Sequence, residues 1–583
     1  MLLKKNFPLQ LIRFFVLLSF MCLLTSTQGQ IIIRNVSIAD VEQKRWLSPR
    51  DVLVEDGIIA AIGIRLKAKA GVEMIDGTGK FLIPGFVDAH IHFAQSGGVY
   101  TRPDAVDLRK YKPYEEEILW THANMEHTLR RYLAVGITSV VDVGSTINFL
   151  KQRDTFRTKS YAPTIYMTGP LLTTWEPPAF KNLKDDQLFF EMKTVEDAKN
   201  YVLKQLPLKP DFIKIWYIVQ GRNTDSAARS HLPMIQAVID ESHKAGLRVA
   251  VHATERITAQ LAVEAGADLL VHGIDDEVVS DNFVKLLKSN NVVLTPTLVV
   301  VQGYVDVLGQ TYKIDQHDFE HASATQLNSI IDFKHLPDTA LLKRYRIGIA
   351  GSSHTRKTTD SLLSLNLKKM SEGGVTIATG TDAGNIGTQH ASSFYHELIA
   401  MQQSGMSMWQ LLQASTINGA KAVGKQSEFG SIKKGKRADL LLLNKNPIDK
   451  LENWKSFALV INKGNVWQPD SILSPTATEL ADQQLLGYNS HNLEFFLEPY
   501  SDDVEIYSMP AHSLDIKGKV SMRKEYEFVK TTPDLYCRLL KRIVQGNTVI
   551  DHEEVYTIGS KKPFYGIATY IVKNGKISRV YFY

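Results

Sequence analysis

The sequence is poor in cysteine, in net charge and in long apolar runs. It has only two cysteines in 583 residues, Cys22 and Cys537. Because Cys22 lies in an N-terminal segment that is predicted to be removed, the mature chain can form no internal disulfide bond. No internal repeat or low-complexity tract is evident. With 44% hydrophobic and 22% charged residues, the composition is that of a globular protein of two to four domains.

The charge balance excludes two classes of partner. Lysine and arginine number 67 against 62 acidic residues, a formal net charge of +5, and Lys4, Lys5 and Arg13 supply three of those charges. A chain so nearly neutral has neither the basic stripe of a nucleic-acid-binding protein nor that of a membrane-surface protein. We therefore expect no nucleic-acid partner.

The first 29 residues have the layout of a secretory signal peptide. A basic start precedes the apolar residues 14–24, and small polar residues follow, with cleavage predicted near Gly29. The alternative is a membrane anchor, but the run is shorter than the roughly 20 apolar residues that span a bilayer. We expect a secreted or periplasmic protein that keeps no stable membrane span after cleavage.

Eight short apolar runs alternate with helix-like segments from residue 85 onward. They are GFVDAHIHF, GITSVVDVGS, APTIYMTGP, DFIKIWYIV, LRVAVHAT, ADLLVHGID, NVVLTPTLVV and VTIATGTDAG. This alternation predicts an α/β protein, a (β/α)8 TIM barrel over residues 85–428. Residues 94–132 and 301–370 are too long for ordinary loops and are predicted to cover the active-site face.

The segments around the barrel predict further units. Residues 30–84 and 429–467 contain short β-branched runs with turn residues and should together form a small composite β-sandwich. Residues 468–478 are rich in proline, serine and threonine and are predicted to be a linker. Residues 479–583 begin with helical patterns and end with four strand-like runs, which indicates a C-terminal α+β cone.

Polar residues stand at equivalent points of the predicted barrel strands. They are His90, His92, Lys214, His252, His272 and Asp382. Each histidine alone could be an ordinary hydrogen-bonded residue. A barrel, however, gathers the carboxyl ends of its strands, so together they predict a metal site.

Lys214 and Asp382 have chemically distinct predicted roles. A lysine within DFIKIW is costly to bury in its charged form, and its neutral amine can add carbon dioxide to become an anionic carbamate that bridges two metal ions. Asp382 can bind one metal and accept a proton from the attacking water. We expect two divalent ions, zinc for this histidine-rich set, with manganese and iron as alternatives.

The motifs LIPGFVDAHIHF, GITSVVDVG, DFIKIW, VAVHA, DLLVHG and ATGTDAG resemble the amidohydrolase superfamily. The resemblance runs from about residue 31 to 467 and is closest to the peptidase- and imidazolonepropionase-like branch. It implies that His90 and His92 hold one metal and that His252 and His272 hold the second. It further implies that Lys214, N6-carboxylated, bridges the two and that Asp382 is ligand and base.

Further residues receive weaker predicted roles, and that of His390 comes from the same resemblance. His390 is the predicted substrate contact and second catalytic residue, whereas His396 and Glu397 are expected to be structural. Arg102 is either a clamp for a substrate carboxylate or a solvated loop residue, and Tyr217 is a lesser candidate.

The C-terminal segment resembles the SnoaL-like branch of the NTF2-like superfamily through YNSHNLEFFLEPYSDDVEIY, RIVQGNTVIDHEEV and YIVKNGKISRVYFY. His512, Asp551 and Glu553 are candidates to line its conical pocket. Their spacing does not establish catalysis, so we expect an accessory module that folds independently and is dispensable for hydrolysis.

The combined prediction is an exported metal-dependent amidohydrolase that cleaves a C–N amide or peptide bond of a small substrate, such as a dipeptide, through a metal-bridging hydroxide. A lactonase or cyclic-amide hydrolase remains an alternative on the same site. A ligand-binding protein with an inert barrel is the alternative from another class. A homo-oligomer is left open.

Overall fold

The computed structural model describes residues 30–583 except residues 70, 182–185, 222, 533 and 557–561. The predicted signal peptide, residues 1–29, lies outside the described residues. Within them, no helix is both long and apolar enough to cross a membrane.

All eight predicted runs form barrel strands, which confirms the TIM barrel. In order they are Phe86–Ile91, Ile137–Asp142, Thr164–Met167, Phe212–Trp216, Arg248–His252, Leu269–Val271, Val293–Thr295 and Thr376–Ile377. The first three pair in parallel, and so do the last five. Backbone bonds from Ala89 to Thr379 (2.8 Å) and from Asp211 to Met167 (2.9 Å) join the two sets.

Helices connect these strands along the chain. Those up to the sixth strand are Tyr114–Ala123, Met125–Ala134, Ile147–Phe156, Val195–Gln205, Thr224–Lys244 and Arg256–Glu264. The later ones are Asp281–Ser289, Val299–Leu308, Gln316–His321, Ala324–Phe333, Thr339–Glu372, Ser393–Gln403, Met408–Ala414 and Ile417–Ala422. The helix before the fifth barrel strand begins at Thr224, because the Asn223 side chain accepts the Ser226 N–H at 3.0 Å and caps it.

Two features of the barrel were not predicted. The strands Leu171–Thr173 and Phe189–Glu191 extend the sheet beside the fourth barrel strand. The long segment after the seventh strand is largely helical and ends in the 34-residue helix Thr339–Glu372. Its apolar residues pack against those that follow the first strand, so both long segments lie over the carboxyl ends of the strands.

The composite β unit is one hydrogen-bonded sheet of eight strands. They are Ile31–Asp40, Arg45–Glu55, Ile58–Gly63, Glu73–Asp76, Phe81–Pro84, Leu440–Leu443, Phe457–Asn462 and Asn465–Trp467. Its two chain segments meet where Leu440–Leu443 pairs with Phe81–Pro84. Side chains from both segments fill one buried apolar core.

The predicted linker is packed against the barrel. It contains the short helix Pro469–Ile472, which lies on the helix Met125–Ala134. Ile472 is fully buried. The segment therefore fixes the start of the C-terminal module instead of leaving it free.

The C-terminal module, residues 477–583, has the predicted order of elements. Its helices are Ala477–Asn489, Leu493–Leu497, Lys519–Glu525 and Phe528–Thr531. Its strands are Tyr500–Ser508, Ser513–Lys517, Tyr536–Gln545, Thr548–Tyr556, Phe564–Lys573 and Lys576–Phe582, and they form one sheet. The helices pack on this sheet around a separate apolar core, as an α+β cone requires.

Candidate metal centre and active site

All six residues of the predicted metal site line one cavity. It lies at the carboxyl ends of the barrel strands and measures about 310 Å³. His90 and His92 share a face because side chains alternate along a strand. The other four come from the fourth, fifth, sixth and eighth strands or the residues just after them.

The ligand atoms of three of these residues converge. Asp382 Oδ1 lies 3.1 Å from both His90 Nε2 and His92 Nε2, and the two imidazole nitrogens are 3.4 Å apart. One ligand atom each of His90, His272 and Asp382 lies within 4.8 Å of the others. The His252 and His272 ring centroids are 4.4 Å apart, which extends the cluster across the cavity.

Hydrogen bonds on the outer side orient two of the imidazoles. His92 Nδ1 lies 2.7 Å from the Gly144 carbonyl oxygen, and His272 Nδ1 lies 2.7 Å from Thr297 Oγ1. With its proton on Nδ1, His92 would present the Nε2 lone pair to a metal ion. Metal-binding histidines are held in this way in proteins.

The electrostatic environment favours neutral imidazoles and an ionised carboxylate. Burial lowers the pKa of His90 to about 4 and holds those of His252 and His272 well below the usual value. Burial alone would raise the pKa of Asp382, but His90 and His92 hold it well below its usual range. These are the protonation states in which both groups bind metal ions.

Lys214 is buried in the cavity wall without a partner. It is 1% exposed, and no described residue forms a hydrogen bond or ion pair with its Nζ. Burial lowers its pKa to about 7, against the opposing charge of Asp382. A large share of this amine is therefore neutral near pH 7.

The backbone around the site is held in unusual conformations. His272, Thr297 and Asp382 have φ values of +80°, +47° and +59°, a region that residues other than glycine seldom adopt. The buried Asp88 carboxylate accepts the Thr381 N–H at 3.1 Å and its hydroxyl at 2.8 Å. Asp88 thereby fixes the turn that presents Asp382.

The residues present fit a metal centre. The donor set is neutral imidazole nitrogen and carboxylate oxygen, which suits divalent transition metals. Asp382 Oδ1 and His90 Nδ1 are buried and have no hydrogen-bond partner among the described residues, whereas buried polar atoms are normally paired. A cation held by these residues would satisfy Asp382 Oδ1.

The part of the chain that contains this site matches a protein-family model. Residues 81–467, well over half of the chain, match the model of the amidohydrolase family. The chain belongs to the amidohydrolase family. It is therefore a hydrolase of carbon–nitrogen bonds, as its sequence predicts. A second model, that of the SnoaL-like domain, matches residues 482–580.

Individual relatives of this amidohydrolase are distant. The 5-methylthioadenosine/S-adenosylhomocysteine deaminase of Syntrophomonas wolfei subsp. wolfei is 22% identical over 427 residues, 71% of this chain and 85% of the deaminase. A solved Xaa-Pro dipeptidase with methionine bound in its active site has a TM-score of 0.56 and 21% identity, over 76% of this chain and all of the dipeptidase. The ochratoxinase of A. niger has a TM-score of 0.56 and 18% identity, over 76% of this chain and 96% of the ochratoxinase. The two solved structures show the fold alone.

His390 does not reach the amidohydrolase cavity. It is 9% exposed, and its ring nitrogens lie 2.8 Å from the Tyr132 hydroxyl and 2.8 Å from the Gln95 carbonyl oxygen. Both nitrogens are engaged, which contradicts the catalytic and substrate-contact role predicted for His390. It holds the backbone beneath Gln95, which does line the cavity.

Arg102 lies in the cavity wall, so the solvated-loop alternative is wrong. Its guanidinium pairs with Asp104 at 2.6 Å, contacts the Asn385 side-chain oxygen and lies 5.9 Å from the centre of the Tyr304 ring. Asn385 in turn donates to the Asp382 carbonyl at 3.0 Å. Arg102 is thus tied to the turn that carries Asp382.

The remaining candidates are structural. Tyr217 is fully buried and donates to the Ala228 carbonyl. His396 lies 3.1 Å from Asp315. Glu397 accepts the Leu298 and Val299 N–H groups at 3.0 Å each and caps the helix that follows.

Two of the three candidates in the C-terminal module lie outside its cavity. That cavity measures about 330 Å³ and is lined by Glu553, which accepts the Tyr570 hydroxyl at 3.1 Å. Asp551 is paired with Arg542 at 2.7 Å. His512 is exposed and is not among the lining residues.

Several cavity residues were missed from the sequence. Asp275 stands three residues after His272, inside the run ADLLVHGID, and its position at a strand end could have indicated it. Tyr304 lies in the long helical segment, where nothing in the sequence singles it out. The apolar wall, equally unpredicted, consists of Leu171, Phe180, Leu188, Phe189 and Trp216.

Proposed function

We propose that this amidohydrolase holds two divalent metal ions, zinc in the first place, and hydrolyses an amide or peptide bond of a small molecule. The observation that carries the proposal is the convergence of four histidines and Asp382 on one cavity beside the unpartnered Lys214. His90 and His92 would hold one ion and His252 and His272 the other. Manganese or iron would suit the same donors.

Lys214 would supply the anion between the two ions. Addition of carbon dioxide to its neutral amine forms a nitrogen–carbon bond and releases one proton, which leaves a carbamate. A buried amine without a hydrogen-bond partner is suited to this addition, because it need not lose a protein contact first. An unmodified ammonium at the same place would repel both cations.

The protein's own catalytic group is Asp382. Bound divalent ions lower the pKa of water and polarise a carbonyl group. Asp382 accepts the proton of the attacking water and returns it to the leaving nitrogen, a transfer that general acid–base residues perform at hydrogen-bond range. Asp88 keeps the Asp382 turn in place during both transfers.

The cavity walls favour a substrate with a bulky apolar side chain and charged ends. Aromatic and aliphatic side chains form one wall, and burying such a group contributes about 1.5–3 kcal/mol. Arg102 offers a cation for a carboxylate. Asp275 offers a carboxylate that pairs with no described residue, and its burial raises its pKa to about 6, which leaves it ionised at pH 7 to accept a substrate ammonium.

A matched substrate series tests the proposal. Metal-loaded protein would be assayed with L-leucyl-L-phenylalanine, its N-acetyl derivative, its C-terminal amide and a lactone of similar size, alongside metal analysis. We expect about two metal equivalents and fastest hydrolysis of the free dipeptide. Faster turnover of the lactone would overturn the substrate assignment, and protein that binds no metal would overturn the reaction itself.

Export is a separate proposal. It is supported by the basic start and the short apolar run in residues 1–29. Cell fractionation with sequencing of the mature N-terminus tests it. Full-length protein in the cytoplasmic fraction would refute it.

A further inference from the structure

One helix of the long insertion separates the C-terminal module from the active-site cavity. This helix, Ala324–Phe333, is called the relay helix below. One of its faces contacts the module, and the other contacts the substrate loop, residues 95–102. Gln95 and Arg102, the two ends of that loop, both line the cavity.

The module-facing side of the relay helix is tied by three hydrogen bonds. The Thr325 hydroxyl donates to Asp482 Oδ2 at 2.5 Å, and the Asn328 side chain donates to the Asp482 carbonyl at 2.9 Å. Asp332 accepts the Tyr536 hydroxyl at 2.7 Å. Positions 325, 328 and 332 are three and four residues apart, so they lie on one side of the helix.

The loop-facing side of the relay helix carries Gln326 and Ser329. The Ser96 hydroxyl lies 3.1 Å from Gln326 Oε1, and Ser329 Oγ accepts the Val99 N–H at 3.2 Å. Both helix residues are at least nine-tenths buried. These contacts therefore form in a water-excluded space, where losing one is costly.

The substrate loop passes this restraint on to the cavity. The Ser96 N–H donates to Thr101 Oγ1 at 2.9 Å, which closes the loop just before Arg102. Beyond it, Asn385 joins Arg102 to the Asp382 carbonyl. A shift of the relay helix would therefore move the Arg102 guanidinium, whereas the metal ligands would stay at the ends of their strands.

Apolar packing reinforces the same connection. Val99 of the loop and Leu486, Phe495 and Tyr536 of the module belong to one buried cluster. Phe495 stacks on Phe319 with ring centroids 4.0 Å apart. Tyr536 stacks on His335 at 3.7 Å. Interiors packed this closely transmit displacement instead of absorbing it.

We infer that the C-terminal module is a positioning element of the active site. Acting through the relay helix, it holds the substrate loop and Arg102 in the conformation that binds substrate. This role differs from the dispensable, independent module that the sequence predicts. The difference arises because the sequence does not show that the linker packs against the barrel or that the relay helix contacts both the module and the substrate loop.

Two conservative variants of the full-length protein test the inference. Tyr536→Phe removes only the hydroxyl that binds Asp332, and Thr325→Val removes the hydroxyl that binds Asp482. The control is Tyr507→Phe, which removes a hydroxyl of the same module that donates to Glu505 at 3.1 Å. Tyr507 lies on the strand Tyr500–Ser508, toward the opposite edge of the sheet from Tyr536.

Hydrogen–deuterium exchange without substrate is the first measurement. Loss of one net hydrogen bond should speed exchange in residues 95–102 by about threefold to tenfold. The control should leave exchange there unchanged. Because this measurement involves no turnover, its result does not depend on whether the proposed reaction is correct. Unchanged exchange in both variants, or an equal change in the control, would overturn the inference.

Kinetics separate positioning from simple loss of folded protein. For the best hydrolysed member of the dipeptide series, the KM of both variants should rise severalfold, while kcat and metal content stay within about twofold. A merely destabilised enzyme loses active molecules, which lowers the apparent kcat and leaves KM unchanged. That second pattern would also refute the positioning role.

Discussion

Replacing Lys214 with alanine separates a metal-bridging lysine from a structural one. Burial lowers the pKa of Lys214 from 10.5 to about 7, a difference that corresponds to about 5 kcal/mol. Between these two values the unfolded chain holds a proton that the folded chain lacks, so the contribution of Lys214 to stability rises with pH. Below pH 7 the metal-free protein bears the whole cost of burying the ammonium.

The expected stability change follows from two opposing contributions. Lys214→Ala removes that electrostatic cost of about 5 kcal/mol but loses three buried methylene groups, at about 0.8 kcal/mol each. The metal-free variant should therefore be no less stable than the parent at pH 6–7, as measured by urea unfolding. A structural lysine would instead give a clear loss of stability.

Although Lys214→Ala should not lower stability, it should lower both the metal content and the rate of hydrolysis. Without the anion between them, the two cations repel each other, so bound metal should fall below two equivalents. The rate should fall by at least about 100-fold, since even changes to groups behind metal ligands cost about 10–100-fold. Removal of Cγ through Nζ opens space for a small carboxylate, and acetate or formate should restore part of the rate.

Lys436→Ala is the matched control. Lys436 is also buried, but its ammonium donates to Ser431 Oγ at 2.7 Å and to the Gln426 carbonyl. Its removal should reduce stability without changing metal content or rate. If Lys214→Ala keeps full metal and full rate, the bridging role is wrong and the protein uses a single-metal site.

Three further changes probe the remaining assignments. Asp382→Asn should cut turnover by about 100-fold or more while most of the metal stays bound, as measured by single-turnover kinetics and metal analysis. Asp275→Asn should raise KM about tenfold for the free dipeptide and leave its N-acetyl derivative unaffected. Burial raises the pKa of Glu397 to about 8, so the metal-free folded state keeps a proton that the unfolded state loses above pH 4.5. The contribution of Glu397 to stability should fall by up to about 5 kcal/mol between pH 4.5 and 8. Glu397→Gln should remove this decline from the pH dependence of unfolding; equal slopes in both proteins would contradict it.

The sequence by itself determined the barrel and which polar side chains meet at the carboxyl ends of its strands. Eight apolar runs in alternation with helices define the strands, and a barrel brings the carboxyl ends of its strands together whatever their separation along the chain. His90 and Asp382 could therefore be placed in one site although 292 residues separate them. The strand period also placed His90 and His92 on one face.

Only the tertiary structure decided what surrounds that site. The sequence marks His390 and Arg102 as polar residues near catalytic motifs, but it does not show that Tyr132 and the Gln95 carbonyl turn the imidazole away from the cavity. Nor does it show that the guanidinium is tied to Asn385. Side-chain direction outside regular strands depends on partners that are distant in the chain.

The role of the C-terminal module also depends on the tertiary structure. The SnoaL-like motifs indicate how the module folds, because that pattern is local to residues 482–580. Where the module sits depends on the relay helix, whose two polar faces meet residues more than 150 and more than 200 positions away. Contacts across such separations leave no periodic signal in a single sequence, since they are set by which surfaces meet after each unit has folded.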